Sequence, residues 1–185
     1  AELIRLARSQ PGKLSYGTDG VGTSMHLVAE LIKQRAGLDV LHVPYKLGTQ
    51  VITDVAGNQL DLAVMPLTLV YSPIKSGKLK GFGVTSKQRW PTAPEIPSLA
   101  EAAELKDFDV VSWYGLLAPA GVNAAIVDRL VKEMAAVLAD PEIVKRMGDL
   151  GLVPAKMTQA QFAAYLQKER QEFAAVVSAA NIKAE

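Results

Sequence analysis

The 185-residue chain carries 20 basic against 19 acidic residues, a net charge of +1, and 49% of it is hydrophobic. That balance lacks the clustered basic excess of a nucleic-acid or anionic-membrane surface, and the absence of cysteine excludes thiol catalysis, disulfides and cysteine-ligated metals in this chain. No run of about 18 apolar residues occurs, so no membrane-spanning helix is expected, and the length allows one large domain or two small lobes.

In chain order, Leu3, Ile4, Leu6 and Ala7 have helical spacing, and this first helix ends before Pro11-Gly12. The chain thus opens inside a helix without an N-cap, and the expectation is a processed or truncated product. "KLSYGT" (13–18) reads as a strand, followed by a glycine-rich turn and a helix from Thr23 to Arg35 stopped by Gly37. "LDVLHVPY" (38–45) is a strand, "TQVITDVAG" (49–57) a short helix, and "QLDLAVMP" (59–66) a strand ended by proline. A helix over 67–77, broken near Pro73, and a strand "LKGFGVTS" (79–86) follow. This alternation implies a parallel sheet with helices on its faces.

Beyond it, "KQRWPTAPEIPS" (87–98) is a proline-rich loop, and "FDVVSWYGLLAPAG" (108–121) is extended enough to bridge two lobes. Helices are expected over 123–139, 141–149 and 158–180. Asp140-Pro141 starts the second of these, with proline at the first helical position. Thr158 with Gln161 has the form of a capping box for the third.

The turn "YGTDGVGTSMH" (16–26) is the first candidate site. A dinucleotide fingerprint needs a third glycine where Met25 stands, and a P-loop needs a Gly-Lys-Ser/Thr that is absent. A helix-terminus anion site passes the same test. Gly20 and Gly22, flanking Val21, let backbone approach a ligand, the helix start offers unpaired N–H groups, and Thr23 and Ser24 add hydroxyls. The competing reading is that Thr23 or Ser24 only caps the helix.

His26 either donates to a ligand oxygen or packs, and His42, in mid-strand, reads as structural. The two histidines share no metal-binding spacing. No nucleophilic triad or G-x-S-x-G elbow occurs, so neither catalytic residues nor a cofactor is expected. Tyr45 and Lys46 fall at the carboxyl end of a parallel strand, where open α/β sheets receive ligands. The strand end at Met65-Pro66 lies on the same rim. Trp113 and Tyr114 either stack on a ligand or fill a lobe junction.

Five motifs occur in order: "PGKLSYGTDGVGTSMH", "VLHVPYK", "IKSGKLKGFGVTS", "EIPSLAEA" and "SWYGLLAPAG". Together they resemble the TctC-like (Bug) family of periplasmic solute-binding proteins that serve tripartite tricarboxylate transporters. The resemblance implies an α/β, type II periplasmic-binding-protein fold, a parallel-rich sheet with helices on both faces. It also implies a small carboxylate ligand, a membrane permease as partner, a periplasmic location and no catalysis. Carried over by position, Gly20, Val21, Gly22, Thr23, Ser24 and His26 would contact ligand, with lesser contacts from Tyr45, Met65 and Pro66. Met25 in place of the usual proline, Leu47 after "PYK", and Pro66-Leu67 after the strand depart from the family pattern and imply a less polar rim.

Family members usually carry further residues before the point where this chain starts. Residues 1–110 would then be the second, ligand-binding lobe lacking its first strand. Residues 111–185 would be a crossover strand and helices of a largely missing first lobe, whose exposed apolar faces imply self-association. Two other function classes compete. A regulator's effector domain would need a DNA-binding helix-turn-helix, and a nucleotide- or phosphate-using enzyme lacks its fingerprint.

Overall fold

The computed structural model describes residues 2–102 and 105–183. At its centre are three parallel strands, β1 (Ser15–Thr18), β2 (Leu41–Pro44) and β3 (Leu62–Ala63), in the order β2-β1-β3. Ser15 pairs with Leu41 and Thr18 with Pro44, while Gly17 pairs with Ala63 on the other side. The helices are α1 (Glu2–Ser9), α2 (Ser24–Ala36), α3 (Gly48–Ala56), α4 (Leu67–Lys75), α5 (Leu99–Ala102), α6 (Ala124–Ala139), α7 (Pro141–Asp149) and α8 (Gln159–Ala179).

Successive residues of β1 face opposite sides of the sheet. Tyr16 joins a buried cluster with Ala7 of α1, Ala29 of α2 and Val40. Gly17 points the other way, where α3 packs so closely that a Cβ would sit 2.8 Å from Val51 and 2.5 Å from Leu60. Any larger residue at 17 would push α3 off the sheet. Helices therefore cover both faces, which is the expected arrangement.

Local chemistry sets the helix ends where the sequence places them. Thr23 caps α2 in an extended conformation, and Gly37 closes it at φ 61 with two backbone bonds back into the last turn. Asp140 caps α7 with Pro141 in its first turn, and Thr158 with Gln161 forms a complete capping box on α8. The strands are shorter than the sequence predicts. The helix over 67–75 also differs from expectation, because it runs through Pro73 unbroken and ends at Lys75. Pro73 has no N–H to give the Leu69 carbonyl, so the helix forgoes one bond there without breaking.

The expected strand over 79–86 does not form; Val84 and Ser98 make an isolated parallel bridge. The Val84 amide donates to the Pro97 carbonyl at 2.9 Å, and the Thr85 carbonyl accepts from Val110 at 3.0 Å. These bonds all run to later chain segments. Toward β3 lies an apolar cavity of about 530 Å³, lined by residues that include Ile4, Val64, Ile74, Phe82 and Val110. With a cavity in place of a neighbouring strand, 79–86 has no ladder to join on that side.

The C-terminal helices divide in two. In α8, Phe173 packs on the cluster of Val28, Ala36, Leu105 and Phe108, and Val176 is buried, so this helix docks on α2. By contrast α6 buries no residue and packs on α7. Tyr114, Leu116 and Leu117 in the extended segment are 74%, 77% and 72% exposed.

Candidate functional site

The carboxyl ends of β1, β2 and β3 share one rim, and each leads to a helix start: Ser24 of α2, Gly48 of α3 and Leu67 of α4. The turn from β1 to α2 takes its shape from two left-handed glycines, Gly20 at φ 136 and Gly22 at φ 75. The Thr23 hydroxyl donates to the Gly20 carbonyl at 3.0 Å and accepts from the His26 amide at 3.4 Å. Both roles of that hydroxyl are thus filled within the turn. The Ser24 hydroxyl is exposed and has no partner among the described residues, nor have the backbone N–H groups of Ser24 and Met25. Such N–H groups at a helix start attract anions.

Tyr45 follows β2, and its amide donates to the Thr18 carbonyl at 3.0 Å. Its hydroxyl donates to Asp54 Oδ2 of α3 at 2.7 Å, so it fixes α3 against the rim. The start of α3 is capped by Leu47 and that of α4 by Pro66, neither with a side-chain acceptor. Their first N–H groups therefore have no side-chain cap. Met65 packs against Gly48, where a Cβ would collide with its methyl group. Val21 and Gly22 sit at the outer edge of the turn, with Gly22 exposed.

Beneath the turn lies a cluster that spacing did not reveal. The rings of His26 and His42 stack at 3.9 Å with an 11° tilt, and Tyr16 stacks on the far face of the assembly at 4.9 Å from His42. His26 Nδ1 accepts from the Gly22 amide at 3.0 Å, and His42 Nε2 lies 2.7 Å from the Thr18 hydroxyl. The Tyr16 hydroxyl donates to Glu30 Oε1 at 2.7 Å, and Lys33 pairs with the same oxygen at 2.6 Å. Burial holds both imidazoles below their ordinary pKa, His42 at about 4. Burial would raise Glu30, but hydrogen bonds from Lys33 and Tyr16 outweigh it and hold the carboxyl low. Burial and the Glu30 carboxylate push the Tyr16 phenol upward.

His26 is 6% exposed, so its ring supports the turn from below. Only the β1–β2 register, which puts Tyr16 opposite His42, could have signalled the cluster. Among the described residues, no group of His, Asp or Glu is arranged to hold a metal ion. Trp113 donates to Glu169 at 2.7 Å and packs edge-on against Phe162, so it braces α8 and lies apart from the rim.

A parallel α/β unit with its helix N-termini on one rim is characteristic of periplasmic-binding-protein folds, and solved structures of that class share this chain's fold. R. palustris Rpa4515, solved with adipate, superposes with a TM-score of 0.86 at 28% identity, over 98% of this chain and 60% of that one. The periplasmic binding protein BugD gives 0.77 at 29% identity, over 100% of this chain and 62% of that one. A family model described as "Tripartite tricarboxylate transporter family receptor" (TctC) matches residues 1–182, and the chain belongs to that family. A relative from Pseudomonas sp. strain P51, the UPF0065 protein in the tcbD-tcbE intergenic region, is 37% identical over 151 residues. That alignment covers 82% of this chain and 45% of the relative, so the chain spans about half of the relative's length.

Proposed function

We propose that this chain is part of a periplasmic receptor that captures a small carboxylate and presents it to the permease of a tripartite tricarboxylate-type transporter. The observation that carries the reading is the rim, where three helix starts lie together, those of α3 and α4 without a side-chain cap, beside a turn shaped by two glycines. Each helix end contributes partial positive charge, and a carboxylate needs only two or three such donors. The structural neighbour solved with adipate supports the ligand class.

Within the site, the backbone from Gly20 to Ser24 and the Ser24 hydroxyl face the ligand. Thr23 and Tyr45 hold the shape of the rim, and Val21, Met65 and Pro66 give it an apolar border. His26 acts from beneath. The reading assigns the protein binding without turnover.

We also infer the two-part division at residue 110. The free edge of β3, the cavity beside it and the segment 79–86, which joins no ladder on that side, suit a lobe that takes up one more strand. The exposed Tyr114, Leu116 and Leu117 suit a crossover segment that another lobe covers. Until it is covered, this face favours self-association.

The test is a 15N-labelled sample titrated with adipate to millimolar concentration, since half a cleft binds weakly. Amides of residues 21–25 shift with adipate and stay still with the matched neutral diamide. Equal responses to both, or none to either, would remove the carboxylate reading.

A further inference from the structure

The glycine turn is tied down at two points, and both ties end on the same pair of rings. At one point the Gly20 carbonyl accepts from the Thr18 hydroxyl at 3.2 Å, and that hydroxyl also contacts His42 Nε2 at 2.7 Å. At the other, the Gly22 amide donates to His26 Nδ1 at 3.0 Å. A backbone N–H can only donate, so Nδ1 of His26 is unprotonated and its neutral ring carries the proton on Nε2. That Nε2 lies 3.9 Å from Glu30 Oε1.

We propose that His42, which contacts no ligand, is a positioning residue of the rim: stacked on His26 and bonded to Thr18, it holds both ends of the glycine turn in the shape that exposes the N–H groups of Ser24 and Met25. This proposal rests on the rim being the ligand site.

The geometry separates this role from simple packing. A phenyl ring at 42 would keep the stack but lose the Thr18 contact, while a Gln would keep a polar partner and lose the stack. Thr18 is fully buried, so its hydroxyl needs partners inside the protein, and His42 and the Gly20 carbonyl supply them. Stacking at 3.9 Å also disfavours charge on both rings at once, because two imidazolium faces would repel. A neutral His26 is the form that accepts from Gly22. The charged and titratable groups facing the pair are Tyr16 from β1 and Glu30 and Lys33 from α2.

The experiment compares the chain with His42→Ala and His42→Phe by amide exchange, histidine titration and adipate titration, all followed by NMR. In His42→Ala, exchange at Gly22 accelerates roughly tenfold, the scale of one lost hydrogen bond. The His26 midpoint rises toward its ordinary value, while the Tyr16 and Gly17 amides keep their protection. In His42→Phe, Gly22 keeps its protection and the Gly20 carbonyl resonance moves. Adipate binds both variants more weakly than the parent chain. Unchanged Gly22 exchange and an unchanged His26 midpoint in a folded His42→Ala would overturn the proposal, as would unaltered adipate affinity. If His42→Ala does not fold, an unmoved Gly20 carbonyl in His42→Phe decides against it. If the parent chain ignores adipate while Gly22 and Gly20 respond as stated, the carboxylate reading fails and the clamp on the turn stands.

Discussion

The Trp90 indole N–H donates to the Gly151 carbonyl at 2.7 Å, tying the proline-rich loop to the connection between α7 and α8. Gly151 adopts φ 79 and is buried against Leu67. The Trp90→Phe variant therefore keeps most of the packing but leaves a carbonyl without its donor. A loss of about 1 kcal/mol is expected in urea unfolding. An unchanged midpoint would show that water replaces the indole at no cost.

The two hydroxyls at the start of α2 have separate roles and should respond separately. Thr23→Val removes a filled cap and costs about 1 kcal/mol of stability. Ser24→Ala removes an unpartnered, exposed hydroxyl, so stability stays within about 0.5 kcal/mol. Its effect falls on adipate, whose affinity drops several-fold. Full affinity in Ser24→Ala would confine the ligand to backbone donors.

The two turn glycines differ in what surrounds them. Gly22 has open space where a Cβ would go, so Gly22→Ala costs only its left-handed backbone, about 1 kcal/mol. At Gly20, φ is 136 and a Cβ would lie 3.3 Å from Thr23 Cγ2, so alanine there costs more and disturbs the cap as well. Denaturant midpoints for the two variants should rank in that order.

Acid should weaken the fold earlier than carboxylate titration alone would bring about. His26 and His42 have folded pKa values below 6.5, with His42 at about 4. The unfolded chain therefore binds more protons than the native one across this interval, and stability falls as pH drops from 6.5 toward 4. Glu30, held below 4.5, adds its own loss at lower pH as it protonates. Urea midpoints measured across this range should slope with pH, and His42→Gln should flatten the slope. Equal slopes in both proteins would place the acid sensitivity elsewhere.

Self-association should respond to the extended segment. Leu116 and Leu117 are exposed apolar residues on a segment without regular structure, and replacing both with Glu should shift the chain toward monomer in sedimentation velocity. A parent chain that is already monomeric at high concentration would exclude this face as a contact.

Features set by local chemistry were legible in the sequence. Thr23 and Gly37 bound α2, and Asp140-Pro141 and Thr158 with Gln161 open the later helices, because each cap needs only its near neighbours. Strand edges were less legible. Residues 79–86 have strand-like composition, yet a strand exists only where a partner offers its ladder. The rim could be located because Tyr45 and Met65-Pro66 end parallel strands. The stacked histidines could not be found this way, since their meeting depends on the β1–β2 register and the docking of α2, which spacing along the chain does not encode.

Asp140 does double duty: its amide closes α6 on the Val137 carbonyl, and its carboxylate opens α7 by accepting from Glu142 and Ile143. With one residue serving as both end and beginning, no slack remains between the two helices. Loss of the Asp140 carboxylate would therefore fray the start of α7 while leaving the bond that closes α6 in place.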